Sequence, residues 1–190
     1  MNPLDFVDIE TLNPRICVDV RYATSNNFTG RVLYARPKCY LRRPVAQKID
    51  AIHKKLEARS LGLKIFDGYR PLSVQKIFWS LLPDARYVAP PDIGSKHNRG
   101  AAVDVTLVDA ARCELLMPTP FDDFTEKAHR DCLDLPAQAI ANRRLLEEAM
   151  GEFGFIPLPT EWWHFDDADW ERYPVEDIPL DVLGDKRPSA

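Results

Sequence analysis

"SKHNRGAAVDVTL", residues Ser95 to Leu107, decides how this chain is read. A histidine in a polar loop is followed by Gly100, and then by an apolar run that carries a carboxylate at Asp104. A strand would ordinarily pack a valine there. Alternate side chains of a strand share a face, so Val103, Val105 and Leu107 lie on one side and Ala102, Asp104 and Thr106 on the other. An unpaired carboxylate costs several kcal/mol or more to bury, so Asp104 needs a partner or a metal.

A second stretch, Glu161-Trp162-Trp163-His164, supplies one. The two stretches hold two of the chain's four histidines. His97, Asp104 and His164 make a set of two imidazoles and one carboxylate, which fits zinc and leaves a fourth position for water. Such a site brings a bound water to a pKa of about 7, and the spare Glu161 beside a ligand histidine is the natural general base. On an ideal strand Glu161 and His164 point to opposite faces, so Glu161 belongs in the turn after Pro159 or on a bulge. Gly100 lets the loop fold back until His97 and Asp104 reach one point.

Singly, each feature has an ordinary explanation. A lone histidine is usually on the surface or satisfied in the core, a tryptophan pair usually packs, and Asp104 alone would pair with Arg99 or cap a turn. The combination is what is specific. His53 and Glu57, four apart on one helix face, read as a solvated surface, and His129 as surface or loop packing.

The 190 residues suit one domain, 1–190. With 45% hydrophobic and 28% charged residues the composition is that of a globular protein. A net charge of -4 excludes the basic face that nucleic acid or an anionic membrane requires. Cys17, Cys39, Cys113 and Cys132 show neither C-x-x-C nor zinc-finger spacing. The first residues, "MNPLDFVDIETLNPR", lack a basic and apolar leader pattern. No apolar stretch approaches the ~18 residues of a membrane span, so a cytoplasmic location is expected.

Pro44 opens a helix in which Val45, Ile49, Ile52 and Leu56 repeat at helical spacing, with Gly62 after its end. "LKIFDGY" reads as a strand. A helix from Pro71 follows, with Leu72, Ile77, Phe78 and Leu81 on its apolar side. A long loop from about Leu82 to Arg99 is of the kind that is often functional. "AVDVTL" is a strand, "AQAIANRRLLEEAMGEFG" a helix ending at Gly151 or Gly154, and "FIPL" and "WWHF" are short strands. "ICVDVRY" is a strand candidate in an otherwise irregular first forty residues, and the tail from Ala168 is rich in proline and acids. The expected class is α+β with a small, mostly antiparallel sheet flanked by helices.

The S-x-H-x-x-G-x-A-x-D and E-W-W-H patterns, with "DVRYATSNNFTG", "DGYRP" and "TPFDDFTEKAHR", resemble the zinc D-alanyl-D-alanine dipeptidases. The likeness runs from about Asp19 to Phe165. It implies the α+β zinc-peptidase fold shared with D-Ala-D-Ala carboxypeptidases and the Hedgehog signalling domain. It also implies one Zn2+ per chain on His97, Asp104 and His164, Glu161 as base, and hydrolysis of D-Ala-D-Ala. Arg70 of "DGYRP" would stabilise the oxyanion; otherwise it is a structural ion pair with Asp67. The resemblance further suggests Tyr22 and Asp122 near the substrate ammonium and Ser95 near its carboxylate. A pocket bounded by Trp162, Trp163 and the long loop would exclude longer peptides. Two features depart from the pattern: a compact loop before Ser95, and Lys96 beside His97, a cation near the pocket mouth. The alternatives are a related D,D- or L,D-carboxypeptidase and a non-catalytic zinc-stabilised module; the latter predicts loss of the base or the arginine. Oligomeric state is left open.

Overall fold

The computed structural model describes residues 5–183. In chain order its elements are β1 (Phe6–Asp8), α1 (Ile9–Leu12), β2 (Cys17–Val18), β3 (Tyr40–Arg42), α2 (Arg43–Glu57) and β4 (Leu61–Asp67). They continue with α3 (Leu72–Leu81), β5 (Ala102–Asp109), α4 (Ala137–Gly151), β6 (Phe155–Pro157), β7 (His164–Asp167) and α5 (Leu180–Leu183). The main sheet has the order β2-β4-β5-β7-β6, while β1 and β3 form a separate antiparallel ribbon. Only β2 and β4 pair in parallel within the main sheet. The expected α+β class with a mostly antiparallel sheet is the observed one.

The central strand β5 is buried at every position from Ala102 to Val108, because α2 and α4 pack on the sheet and an aromatic cluster fills the space beside it. In that cluster Phe121 lies 4.8 Å from Phe66, 5.4 Å from Trp163 and 6.0 Å from Tyr22, centroid to centroid. Burial on both faces explains why, from Ala102 to Val108, both alternating sets of β5 are apolar but for Asp104 and Thr106.

Helix α2 buries Val45, Ile49, Ile52 and Leu56 as its spacing predicts, and adds Ala46 and His53. His53 is therefore not on a solvated face. Its Nδ1 accepts the Leu63 N–H at 3.1 Å, and Glu57 Oε1 lies 3.6 Å from its Nε2. Gly62 is not the helix terminator either: the chain reverses at Ser60, whose φ is 56°, and Gly62 lies within β4. A Cβ there would stand 2.9 Å from His53 Cε1, so glycine is what lets the imidazole pack on the strand.

In α3 the buried side chains are Val74, Gln75 and Phe78; Leu81 is exposed. The sequence reading placed the apolar side too near the helix end, because it did not anticipate a buried glutamine. The segment "ICVDVRY" yields strand only at Cys17–Val18 before a 3-10 turn at Arg21–Ala23. The tail is structured over residues 168–183, its remainder lying outside the described residues: Tyr173 and Leu180 are buried, and Tyr69 Oη both donates to the Ile178 carbonyl (3.1 Å) and accepts its N–H (2.7 Å). Among the described residues no helix is long and apolar enough to cross a membrane.

His53 makes one feature of stability pH-dependent. Burial lowers its pKa below the ordinary imidazole value, opposed by Glu57. The folded state thus binds this proton less readily than the unfolded chain. Its contribution is complete above the unfolded pKa of about 6.5 and erodes as pH falls from there toward the lower folded value. Lowering pH from 7.5 to 5.5 should depress the thermal unfolding midpoint more in the wild type than in His53→Gln. Equal losses in the two proteins would contradict this assignment.

Candidate metal centre

The partner of Asp104 is set by strand register. In the antiparallel pair β5–β7, Asp104 stands directly opposite His164, where side chains on one face meet. His164 Nδ1 lies 3.0 Å from Asp104 Oδ1. His97 arrives from the 3-10 turn His97–Arg99 just before β5. Its Nε2 is 3.3 Å from the same carboxylate oxygen and 3.1 Å from His164 Nδ1. Gly100 closes that turn at φ 67°, where a Cβ would also lie 2.4 Å from the Phe6 ring. Arg99 instead faces the tail, donating to the Tyr173 carbonyl at 2.6 Å.

These three donor atoms fit a metal. They form the one His/Cys/Asp/Glu group among the described residues whose ligand atoms lie within 4.8 Å of one another. A tetrahedral zinc site with bonds of 2.0–2.2 Å has donor–donor edges of about 3.3–3.6 Å, and the observed 3.0, 3.1 and 3.3 Å lie at or just below the lower end of that range. All three residues are buried, and two imidazoles with one carboxylate are a zinc-type donor set.

Outer hydrogen bonds fix both imidazoles. His97 Nδ1 is 2.7 Å from the Gly68 carbonyl, which can only accept, so Nδ1 carries the proton and Nε2 is left for a metal. His164 Nε2 is 2.9 Å from Asp166 Oδ1, which by the same reasoning leaves Nδ1 free. Asp166 is two residues beyond His164 on the same strand face, and alternation alone would have pointed to it. Burial opposes ionisation of Asp104, but His97 and His164 outweigh it and hold its carboxyl well below the usual carboxylate range.

A cavity of about 130 Å³ opens beside these ligands, lined among others by Tyr22, Arg70, Ser95, Asp122, Glu161 and Trp163. Every site residue expected from the sequence therefore borders one space. Trp162 does not line it; its indole N–H donates to Thr119 Oγ1 at 3.0 Å. Part of the wall comes from the segment Ala85 to Ala89 of the long loop. Thr160 holds that segment through the Arg86 carbonyl (2.9 Å), and Tyr87 Oη pairs with His129 Nε2 (3.1 Å). His129 thus supports the cavity wall.

Glu161 lies in the turn before β7, not on the strand. This resolves the conflict of strand direction: its Oε2 comes within 3.9 Å of His164 Nδ1. Burial pushes its carboxyl up to about 8, against the opposing pull of His164. Asp122 accepts the Tyr22 hydroxyl at 2.9 Å and the Phe28 N–H at 3.1 Å, and burial raises it to about 7. Ser95 Oγ accepts the His97 N–H at 3.2 Å, which leaves its own proton to donate.

Arg70 forms the ion pair with Asp67 and faces the cavity as well. Its Nε and Nη2 donate to Asp67 Oδ2 at 3.0 and 2.8 Å, and its Nη1 donates to Gln75 Oε1 at 3.0 Å. A guanidinium has five N–H groups, so two are not engaged by these bonds. Nη2 lies 3.8 Å from Asp104 Oδ2. Asp67 is the ion-pair partner the sequence suggested; Gln75 and Asn98 are supporting residues that it did not reveal. Only their position relative to Arg70 and His97, fixed by long-range contacts, gives them a role.

The profile of the M15 peptidase family described as D-ala-D-ala dipeptidase matches residues 2–181. A D-alanyl-D-alanine dipeptidase of Escherichia coli is 33% identical over 90% of this chain and 89% of its own length. One from Streptomyces coelicolor is 32% identical over 85% of this chain and 90% of its own. A solved structure of VanYB in complex with D-Alanine-D-Alanine aligns at 16% identity and a TM-score of 0.47, covering 74% of this chain and 78% of that one. By the extent of the family match and its identity to these dipeptidases, the chain belongs to the D-Ala-D-Ala dipeptidase family.

Proposed function

We propose that this chain is a zinc-dependent dipeptidase that hydrolyses free D-Ala-D-Ala to two D-alanines, acting as one domain with one zinc per chain. The observation that carries the reading is the buried triangle of His97 Nε2, Asp104 Oδ1 and His164 Nδ1 beside a cavity that also holds Glu161 and Arg70, in a member of this family. These three residues would hold the ion. When bound, zinc supplies Lewis acidity, which acidifies water and polarises a carbonyl.

Glu161 takes a proton from the attacking water on its carboxylate and delivers it to the nitrogen of the leaving amine. Arg70, its plane fixed by Asp67 and Gln75, directs its remaining N–H groups at the charge that develops on the carbonyl oxygen. A preorganised donor of this kind typically contributes a few kcal/mol. A free dipeptide carries an ammonium and a carboxylate. Asp122, oriented by the Tyr22 hydroxyl, receives the first, and the Ser95 hydroxyl donates to the second. The small cavity, walled by Trp163 and Ala85 to Ala89, selects a dipeptide over a longer chain. The four unpaired cysteines support a reducing, cytoplasmic compartment, where the enzyme would act on a building block of the cell wall.

Zinc-loaded protein should hydrolyse D-Ala-D-Ala, leave L-Ala-L-Ala intact, and leave a pentapeptide ending in D-Ala-D-Ala largely uncleaved. Efficient cleavage of the pentapeptide would instead indicate a carboxypeptidase. Glu161→Ala should keep its zinc and lose about 10²–10⁴-fold in kcat, the usual worth of a general base; full activity in that variant would remove Glu161 from the mechanism. Asp166→Ala should bind zinc about 10–100-fold more weakly, as loss of an outer-shell carboxylate does, read by competition with a chromophoric chelator. Acid should release the metal as His97 and His164 take up protons, since ligation needs neutral imidazoles. Metal content unchanged at pH 4 after dialysis would speak against histidine ligation.

A further inference from the structure

Ser95 answers the substrate carboxylate with a hydroxyl but no charge. Three cationic side chains border the cavity: Arg70, Arg86 and Lys96. Arg70 is committed to Asp67 and Gln75, and Arg86 to Asp84, with Nη2 to Oδ2 at 2.6 Å. Lys96 is held more loosely. Its Nζ is 3.4 Å from Asp166 Oδ2 and 5.4 Å from the centre of the Trp170 ring, and its side chain is 38% exposed. A formed N⁺–H···O⁻ bond is about 2.7–2.9 Å long, so this ammonium, on a flexible four-carbon stem, is free to take a better partner.

Its position follows from a run of contacts across the site. Lys96 meets Asp166 (3.4 Å), Asp166 meets His164 (2.9 Å), and His164 meets Asp104 (3.0 Å). Beyond Asp104 come Arg70 (3.8 Å) and the Tyr22 ring (5.4 Å from the Arg70 Cζ), and Tyr22 donates to Asp122 (2.9 Å). Along this run of contacts His164 and Asp104 come between a cation and a carboxylate, both of which border the cavity. A dipeptide has its scissile bond between an ammonium and a carboxylate. We propose that Lys96 is a specificity-determining residue that receives the substrate's terminal carboxylate, opposite Asp122. This inference rests on the dipeptidase reading above.

The test uses the zinc-loaded wild type, Lys96→Met and Lys96→Arg, with D-Ala-D-Ala as substrate and D-alanyl-D-alaninamide, which lacks the carboxylate, as competitive inhibitor. In Lys96→Met the KM for D-Ala-D-Ala should rise about tenfold, with kcat within about twofold and zinc content unchanged. The Ki of the amide should stay within about twofold, and Lys96→Arg should retain a KM near the wild type. An unchanged KM in Lys96→Met, or an equal rise in KM and in the Ki of the amide, overturns the assignment and leaves Lys96 as a counter-ion for Asp166. A wild type that fails to hydrolyse D-Ala-D-Ala overturns the dipeptidase reading and this inference with it.

Discussion

Asp104 sits on β5, a strand buried at every position from Ala102 to Val108, and its own side chain is almost wholly withdrawn from solvent. The charge is compensated locally or it is not tolerated. Antiparallel pairing with β7 puts His164 directly across from it, and the reversal at Gly100 brings His97 to the same oxygen. Two ligands far apart in sequence meet because one register, and no other, lets β7 keep Phe165 in the core opposite Val103. A slip of one residue would turn His164 to the other face and take from Asp104 the partner opposite it. Packing of the core and convergence of these three side chains thus follow from the same register.

The neighbouring strand adds a second constraint. A bulge between Ile65 and Asp67 sets Asp67 opposite Asp104 on the other side of β5, and like charges so placed repel. Arg70 lies against both, bonded to Asp67 and 3.8 Å from Asp104, while the Tyr34 hydroxyl and the Gly68 N–H also donate to Asp67 at 2.9 and 3.0 Å. The arginine that faces the cavity is therefore the one that makes the carboxylate pair tolerable. Whatever it does in catalysis, it cannot be removed without leaving two buried acids short of a cation. Its place in the buried ion pair and the role proposed for it in catalysis share one guanidinium.

Much of this was legible in the sequence. An acid inside an apolar strand demands compensation, and the histidines in flanking loops were the available answer. The regular helices followed from their spacing, and the sheet from its alternating segments. What was not legible depends on long-range packing. His53 looks like part of a lysine-rich surface, yet it packs against Gly62 and accepts a strand N–H. Gln75 looks like a solvated helix residue, yet its amide joins Arg70 to the Ala89 carbonyl of the loop that walls the cavity. Asp166, by contrast, was within reach of the alternation rule, since it shares a face with His164.

The proline- and acid-rich tail shows why composition alone underestimates a segment. It packs Trp170, Tyr173, Ile178, Leu180 and Leu183 on the core, and its attachment is completed by hydrogen bonds and ion pairs. Glu176 donates its N–H to the Asn98 carbonyl (2.8 Å), accepts the Leu72 N–H (3.2 Å), and pairs through its side chain with the buried Arg42 (3.0 Å). Asn98 in turn binds the Ser95 N–H and the Arg70 carbonyl through its side chain. The turn that presents His97 is thereby gripped from inside by the Arg70 segment and from outside by the tail. A loop that must hold an imidazole to within a fraction of an ångström has little apolar surface with which to anchor itself. Backbone hydrogen bonds to a strap that crosses it provide that rigidity in directional form, which dispersed hydrophobic contact does not.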